Sequence, residues 1–518
     1  LNAKRSKTSL FQNSLLKLND YCLEIIYGKL DLKEQLRLSL CHERLENVFT
    51  HMICPRKIKG FSFENARGLT LWEIRQLFKT AGRLMFSLEI TRIDCPSTTK
   101  HEAAIYGFMR EFCTDVQRIQ IVHRRFIFTS ILNVLDTNYI TELELYECNL
   151  YEGELVYLRI LKNLQNLGLG RNRNILGLEL CHVKKLQKLS LFGCTKVTQV
   201  NLIEICKIHP LRFLDARCMN DIRNWSTIVE HCQELETLKL SRIDCDGREG
   251  AESIARLPKL KKLEMQFFVR AVSRFYDTLV DYHAEDLEEL KITGNIYALF
   301  PTVGANIGRF KRLRVLWMGD NEYSSSKPFL KLIESLQNLK ELNLNFSVRI
   351  KGDHILPLIK HCPKLKNLSL RYCKNITNNF IFKAILILTH LNNSTRRTPL
   401  LVLVAGTCVK KNILKVNKSS NPRNFTIYYQ KTDSNSRQDP RYINASHLIR
   451  ISFHIARAEL GYLEDKNEFD LVDKLTPDDP DTQGTDTNQS DSENGDNWST
   501  HSLSDSSSDD EMEIFFWY

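Results

Sequence analysis

The chain has 518 residues, 42% of them hydrophobic, and 72 Lys and Arg stand against 62 Asp and Glu for a net charge of +10. That length exceeds what a single compact core supports, so the chain must divide or repeat. The most hydrophobic run, 380–391, has 12 residues with Lys383 inside it, and no apolar stretch follows the basic opening Leu1-Asn-Ala-Lys-Arg-Ser-Lys7, so neither a membrane span nor a secretory signal is expected.

Residues 1–14 read as a flexible basic N-terminus, and 15–54 as a small helical domain. Asn19 or Asp20 can cap a first helix, on which Leu23, Ile26 and Leu30 fall at i, i+3 and i+7. Asp31 can cap a second, where Leu36 and Leu40 recur at i+4. Helices this short bury too little surface to stand alone, so they must lean on the following segment or on a partner.

From 55 to 456 one motif recurs, L-x-x-L-x-L-x-x-(N/C), with starts at 140, 164, 186, 211, 235, 260, 287, 313, 339 and 365 and steps of 22 to 27 residues. Leu365, Leu368, Leu370 and Cys373 form one of the clearest copies. Weaker copies begin at Ile58, Met85, Val116 and Leu400, which brings the count to fourteen, and further strands are expected at 425–429 and 449–453. A fixed step of this size marks a leucine-rich-repeat solenoid. The spaced leucines lie on one face of a short strand, and each strand returns to a parallel neighbour through a crossover. Such a crossover is expected at 353–362, where Ile355, Leu358 and Ile359 share a helical face. Asn or Cys at the ninth position can bond turn backbone that would otherwise be buried unpaired. The expected fold is α/β: a curved parallel sheet on the concave face, helices on the convex face, an all-α N-terminal domain and a disordered acidic tail. The last repeats are expected to be irregular.

Numbering each motif from its first leucine, positions 3, 5 and 7 face away from the core. Large side chains there make candidate binding residues: Tyr146, Phe192, Phe213 and Trp317, with Arg217 and Arg371 beside them and Tyr372 one step further on. Protein partners are therefore expected on this face. The 15 cysteines include no C-x-x-C pair, and many sit at repeat positions, such as Cys148, Cys194 and Cys373, where they read as small apolar residues. Their scatter, with no signal sequence, points to a cytosolic or nuclear protein. The histidines are dispersed, and no phosphate loop, paired metal motif or nucleophile elbow is present. No catalytic residue, metal or cofactor is expected.

The segment Leu18–Val48 resembles an F-box, with an opening Leu, a helix, a Leu30-Asp31 turn and a Leu-rich helix. It is followed by cysteine-ended repeats such as Gly193-Cys-Thr-Lys-Val-Thr198 and Tyr372-Cys-Lys-Asn-Ile-Thr377, so the chain resembles the F-box leucine-rich-repeat proteins. The resemblance implies that the F-box binds a Skp-type adaptor docked on a cullin scaffold, while the repeats hold a protein substrate for ubiquitination. It implies adaptor contacts from Leu18, Leu23, Ile26, Leu30, Leu36, Leu40 and Leu45. Three departures stand out: Asn19 replaces the usual Pro, Gln35 replaces a common Leu, and Cys41-His-Glu-Arg-Leu45 replaces the usual close. A leucine-rich-repeat scaffold unconnected to ubiquitin is the alternative implied by those departures.

Residues 457–518 read as a disordered acidic tail. From Leu475 onward there are 12 Asp or Glu and no Lys or Arg, which leaves 72 basic and 50 acidic residues elsewhere, a net of +22. A body so basic could attract nucleic acid, although no nucleic-acid-binding motif accompanies it. Ser506, Ser507 and Ser508 each have an acid three residues on, which makes them candidate phosphorylation sites.

Overall fold

A computed structural model describes residues 15–63, 66, 68–91, 96–123, 127–219, 222, 224–243, 248–267, 273–293, 306–318, 335–347, 349–391, 400–409, 425–430 and 448–452. The N-terminal 1–14, the tail 457–518 with Ser506, Ser507 and Ser508, and Ile93 lie outside the described residues. The chain forms two compact units, 1–349 and 350–518.

The first unit opens with helices α1 (Asp20–Lys29), α2 (Leu32–Ser39) and α3 (Glu43–Val48). The expected caps are present. Asn19 accepts from the Cys22 amide at 2.9 Å, and Asp31 and Glu34 form a reciprocal capping box at 2.8 and 3.1 Å. The helix α3 runs on through a π-helical turn, Phe49–Ile53, into α4 (Cys54–Lys57). The inward stripe of α1 differs from the expected one: Leu23 and Tyr27 are buried, whereas Ile26 and Leu30 are only partly covered. The cause is Tyr27, whose ring packs on Phe49 at 5.8 Å and whose hydroxyl donates to the Leu45 carbonyl at 3.0 Å. Gln35 also has a structural reason. Its buried amide donates to the carbonyls of Tyr27 (2.7 Å) and Leu30 (2.9 Å), closing the turn between α1 and α2.

Twelve strands follow among the described residues of this unit: β1 (Gly60–Ser62), β2 (Ser87–Thr91), β3 (Arg118–Val122), β4 (Glu142–Tyr146), β5 (Asn166–Gly168), β6 (Lys188–Ser190), β7 (Phe213–Ala216), β8 (Thr237–Ile243), β9 (Lys262–Phe267), β10 (Glu289–Thr293), β11 (Val315–Trp317) and β12 (Glu341–Asn343). Each pairs in parallel with the next. Position 4 stays in register from strand to strand, as in Leu143, Leu167, Leu189 and Leu214. Positions 1, 4 and 6 are buried in all nine strong copies of this unit, so the motif supplies a continuous apolar column. The fold is a leucine-rich-repeat solenoid.

The return segments vary along the array. The 24- and 22-residue steps after Ile140 and Leu164 return through 3₁₀ segments, Glu152–Ile160 and Leu178–His182. Later copies return through α-helices such as Gln199–Ile208 and Ser273–His283, and the 24-residue step after Leu211 does so through the short helix Trp225–Val229. A 3₁₀ turn rises about 2.0 Å per residue against 1.5 Å for an α-helix, so fewer residues cover the same return.

The ninth position works as the motif requires. Asn172 is fully buried; its carbonyl oxygen accepts from the Cys148 amide (3.0 Å) and the Leu150 amide (3.2 Å), and its amide donates to the Leu145 carbonyl (2.7 Å) and Leu169 carbonyl (2.9 Å). Cys194 makes a thinner version of the same link, its thiol donating to the Leu169 carbonyl at 3.0 Å. Just before it, position 8 turns left-handed in repeat after repeat: His123, Glu147, Arg171, Gly193, Cys218 and Phe346 all have φ between 53° and 68°.

The second unit holds β13 (Asn367–Ser369), β14 (Leu400–Leu403), β15 (Phe425–Gln430) and β16 (Leu448–Ser452). The expected crossover is a helix, Gly352–His361, with Ile355, Leu358 and Ile359 buried. The register assigned to the copy at Leu400 is off by one. Leu368 pairs with Val402 rather than Leu403, and the buried residues are Leu400, Val402 and Val404. Gly406, with φ +71, thereby takes position 8, matching the left-handed Tyr372 of the copy before it. A one-residue slip exchanges the two faces of a strand, so Leu403 turns outward. The strand β15 is parallel to β14, but β16 is antiparallel to β15.

Asn172→Ala leaves two buried amides without an acceptor. Each orphaned group costs about 1–3 kcal/mol, so a loss of about 3 kcal/mol is expected in denaturant unfolding, with Arg173→Ala as an exposed control near zero.

Candidate protein-binding surface

The outward positions of β2 to β12 form one face. At position 7, Tyr146, Gly170 and Phe192 come from successive repeats. Gly170 leaves room that the two rings fill: Tyr146 and Phe192 lie nearly parallel, 6.4 Å between centroids and 9° apart, and a Cβ at 170 would meet the Tyr146 ring at 2.8 Å. The left-handed turn at position 8 swings Arg171 over both rings at 5.8 Å, and Arg217 covers Phe192 at 5.2 Å. Arg217 is itself fixed by Asp215 at 2.7 Å and by Glu264 at 2.8 Å. The other aromatics are also paired with cations: Lys239 lies 5.8 Å from the Phe213 ring centroid, and Lys291 lies 4.4 Å from that of Trp317. The Trp317 indole donates to Glu341 at 2.7 Å. Tyr146, Phe192, Phe213 and Arg217 are thus half-buried members of one cation–aromatic lattice, and Trp317 forms a separate half-buried group with Lys291 and Glu341. Rigid rings of this kind lose little entropy on contact with a partner.

Arg371 and Tyr372 belong to the second unit. Burial lowers the Arg371 guanidinium's pKa, and the Tyr372 ring occupies the space where a side chain at Gly406 would stand.

The copy Leu164-Gln-Asn-Leu-Gly-Leu-Gly170 places glycine at positions 5 and 7. Gly168 forms the floor of a shallow trough of about 600 Å³, walled by Glu142 and Glu144 on one side and Lys188 and Ser190 on the other. Glu142 is paired with Arg118 at 2.8 Å. Glu144 has a raised pKa, first because the walls desolvate it and then because Glu142 and Glu89 repel its charge.

The helical domain places its residues differently from the implied adaptor set. Leu23, Leu36 and Leu45 are 0–2% exposed and form the domain's own core. Leu18, Ile26 and Leu30 are partly covered and Leu40 is exposed. The most exposed apolar side chains of α1 are Tyr21 (69%) and Ile25 (49%), one helical turn apart. Their i, i+4 spacing is the sequence signal for this face, and it lies beside the more aliphatic stripe Leu23, Ile26 and Leu30. The domain is tied to the repeats by Arg37 of α2, which donates at 2.6 Å to Glu73 on the helix Leu71–Ala81. Arg37 and the Thr70 cap hold Glu73 ionised down to about pH 2, well below the usual carboxylate value of 4.5.

Of the histidines, His209 and His283 are buried, and each bonds through Nε2 to a carbonyl of the preceding repeat, Leu180 and Ala255, at 3.0 Å. Burial lowers both pKa values. Among the described residues, no group of three His, Cys, Asp or Glu could hold a metal, and no helix is long and apolar enough to cross a membrane.

The fold and face together define a leucine-rich-repeat protein-interaction domain, a class that typically serves as a non-catalytic scaffold. The pattern of the family "Leucine-rich repeat region" matches residues 170–397. No curated protein matches the chain. Among solved structures, the chain is similar to an internalin of Listeria monocytogenes at 16% identity over 66% of this chain and 89% of that one, TM-score 0.36. It is similar to TLR13, solved with single-stranded RNA, at 15% identity over 69% of this chain and 51% of that one, TM-score 0.41. A third similarity is to the yeast Rad7 and Elc1 complex, at 12% identity over 82% of this chain and 96% of that one, TM-score 0.39.

Because the folded-state pKa of Glu73 is depressed, its contribution is complete above about pH 4.5 and is lost as pH falls toward 2. Glu73→Gln should therefore lower the melting temperature at pH 6, with the gap to the parent chain narrowing steadily below pH 4.5. A gap independent of pH would show that the Arg37 pairing does not stabilise the fold.

Proposed function

We propose that this chain is the substrate-recognition subunit of a Skp–cullin–F-box type ubiquitin ligase. The N-terminal helices dock the adaptor and the strand face of the repeats holds a target protein, while a separate enzyme transfers ubiquitin. The observation that carries this reading is the exposed apolar pair Tyr21 and Ile25 on a capped helical module held against the repeats by Arg37 and Glu73. An exposed aromatic and a β-branched side chain on a rigid helix suit a partner's apolar groove. The resemblance of Leu18–Val48 to an F-box names that partner as a Skp-type adaptor on a cullin scaffold. A second reading, a repeat scaffold unconnected to ubiquitin, is favoured by the inward placement of Leu23, Leu36 and Leu45.

Affinity purification of the intact chain with a Skp-type adaptor and cullin separates the two. Burying Tyr21 and Ile25 should contribute about 3 kcal/mol or more, so the Tyr21→Ala, Ile25→Ala double variant should bind adaptor at least about 100-fold more weakly with an unchanged melting temperature. Leu36→Ala should instead destabilise the module, because Leu36 is in its core. No adaptor on the parent chain under gentle conditions would leave the scaffold reading standing.

For the strand face, Phe192→Ala and Trp317→Ala should each weaken target binding by about 2 kcal/mol, near 30-fold, in a calorimetric titration with a captured target. Lys207→Ala, on the outer helix Gln199–Ile208, should change little. Equal small effects at all three positions would move the binding surface elsewhere.

A further inference from the structure

We infer that the trough over Gly168 is a charge-reading subsite that takes a protein segment bearing a basic side chain and, beside it, an acidic one. This rests on the reading of the strand face as a protein-binding surface and goes further by assigning the chemistry of what binds there.

The argument starts from which charges on the face are already neutralised. From β7 to β10 most charges are already engaged: Arg217 with Asp215 and Glu264, Lys239 with Glu264, Lys262 with Glu289, and Lys291 with the Trp317 ring. On β3 and β4, Arg118 takes Glu142. Of the charged side chains that flank Gly168, two are left over, while Arg212, further along the lining, acts on Glu236. Glu144 and Lys188 make no side-chain hydrogen bond or ion pair among the described residues. They stand on β4 and β6, two strands apart and one pleat offset, on the order of 10 Å. They are too far apart to satisfy each other.

The strand between them carries nothing at this level. Gly168 pairs with Glu144 on one side and Ser190 on the other, and a Cβ there would come within 3.1 Å of the Glu144 side chain. A partner side chain can therefore reach the backbone floor. The nearby ring faces do not compete for an incoming cation, because Arg171 and Arg217 already cover Tyr146 and Phe192. A basic group entering the trough meets the Glu144 carboxylate, and an acidic group on the other side meets the Lys188 ammonium. A segment of the opposite polarity would place like charges together, which disfavours it. The net positive charge of the whole chain would attract acidic segments everywhere, so a preference for one that also carries a basic residue marks this site.

The test uses the full chain and four short fluorescein-labelled peptide pools, randomised elsewhere and read by anisotropy. One pool fixes Arg and Glu about three residues apart, the extended length that matches the gap; the others fix Arg alone, Glu alone or neither. The Arg–Glu pool should bind at least about 10-fold more tightly than the unfixed pool. Glu144→Gln should remove the advantage of Arg, Lys188→Gln that of Glu, and Gly168→Leu both. All three positions are outward-facing, and unchanged unfolding curves would confirm intact folds. Four pools that bind alike, or an Arg–Glu preference untouched by Glu144→Gln and Lys188→Gln, overturn the assignment. If that happens while Phe192→Ala still abolishes target capture, the strand face remains the binding surface and only its charge reading is lost.

Discussion

The structure depends on closing each strand's far end without leaving backbone groups stranded. The leucines at positions 1, 4 and 6 supply the burial, but burial alone would trap the amides of the turn that follows. The solution is local: a left-handed residue at position 8 and a buried Asn or Cys at position 9. Non-glycine residues pay about 1–2 kcal/mol to adopt that conformation, yet His123, Glu147, Arg171, Cys218, Phe346 and Tyr372 all do so. The four hydrogen bonds of Asn172 show what offsets the cost where the link is complete. Where Cys replaces Asn, a thiol with a single, weakly donated proton stands in for the amide and the closure is thinner.

That same turn connects the core to the binding face. A left-handed residue sends its side chain back over the end of the neighbouring strands. Arg171 lands between Tyr146 and Phe192 for this reason, and the space between the rings exists because position 7 of the intervening strand is Gly170. The aromatic lattice is therefore a consequence of repeat geometry together with one glycine. Side chains fixed in this way are already ordered before a partner arrives, which lowers the entropic cost of association.

The sequence made the array legible because period 2 within the motif and period 22 to 27 between copies are both strong signals. The helix starts were legible too, since Asn19 and Asp31 have few roles other than capping at those positions. The errors share a physical origin. On α1 an aliphatic spacing pointed to Leu23, Ile26 and Leu30, but Tyr27 took the interior by combining ring packing with a hydroxyl hydrogen bond. At Leu400 the pattern L-x-x-L fitted two registers, and only the glycine in the left-handed turn separates them. The trough was invisible to a search for large side chains because its defining residue has none.

Charge on the strand face follows from the same spacing. Neighbouring strands lie about 4.8 Å apart, so opposite charges at equivalent positions of adjacent repeats meet directly, as Lys262 and Glu289 do. One glycine strand breaks that rule. It holds Glu144 and the row beyond it at twice the spacing, where Coulomb attraction between the two rows is weak. Surface pairs already made offer a partner little, since exchanging one ion pair for another gains almost nothing. Charges that the repeat geometry keeps apart remain available. On a face where most charges are paired with a neighbouring repeat, an interruption of the side-chain ladder is where a partner's charge meets the least competition.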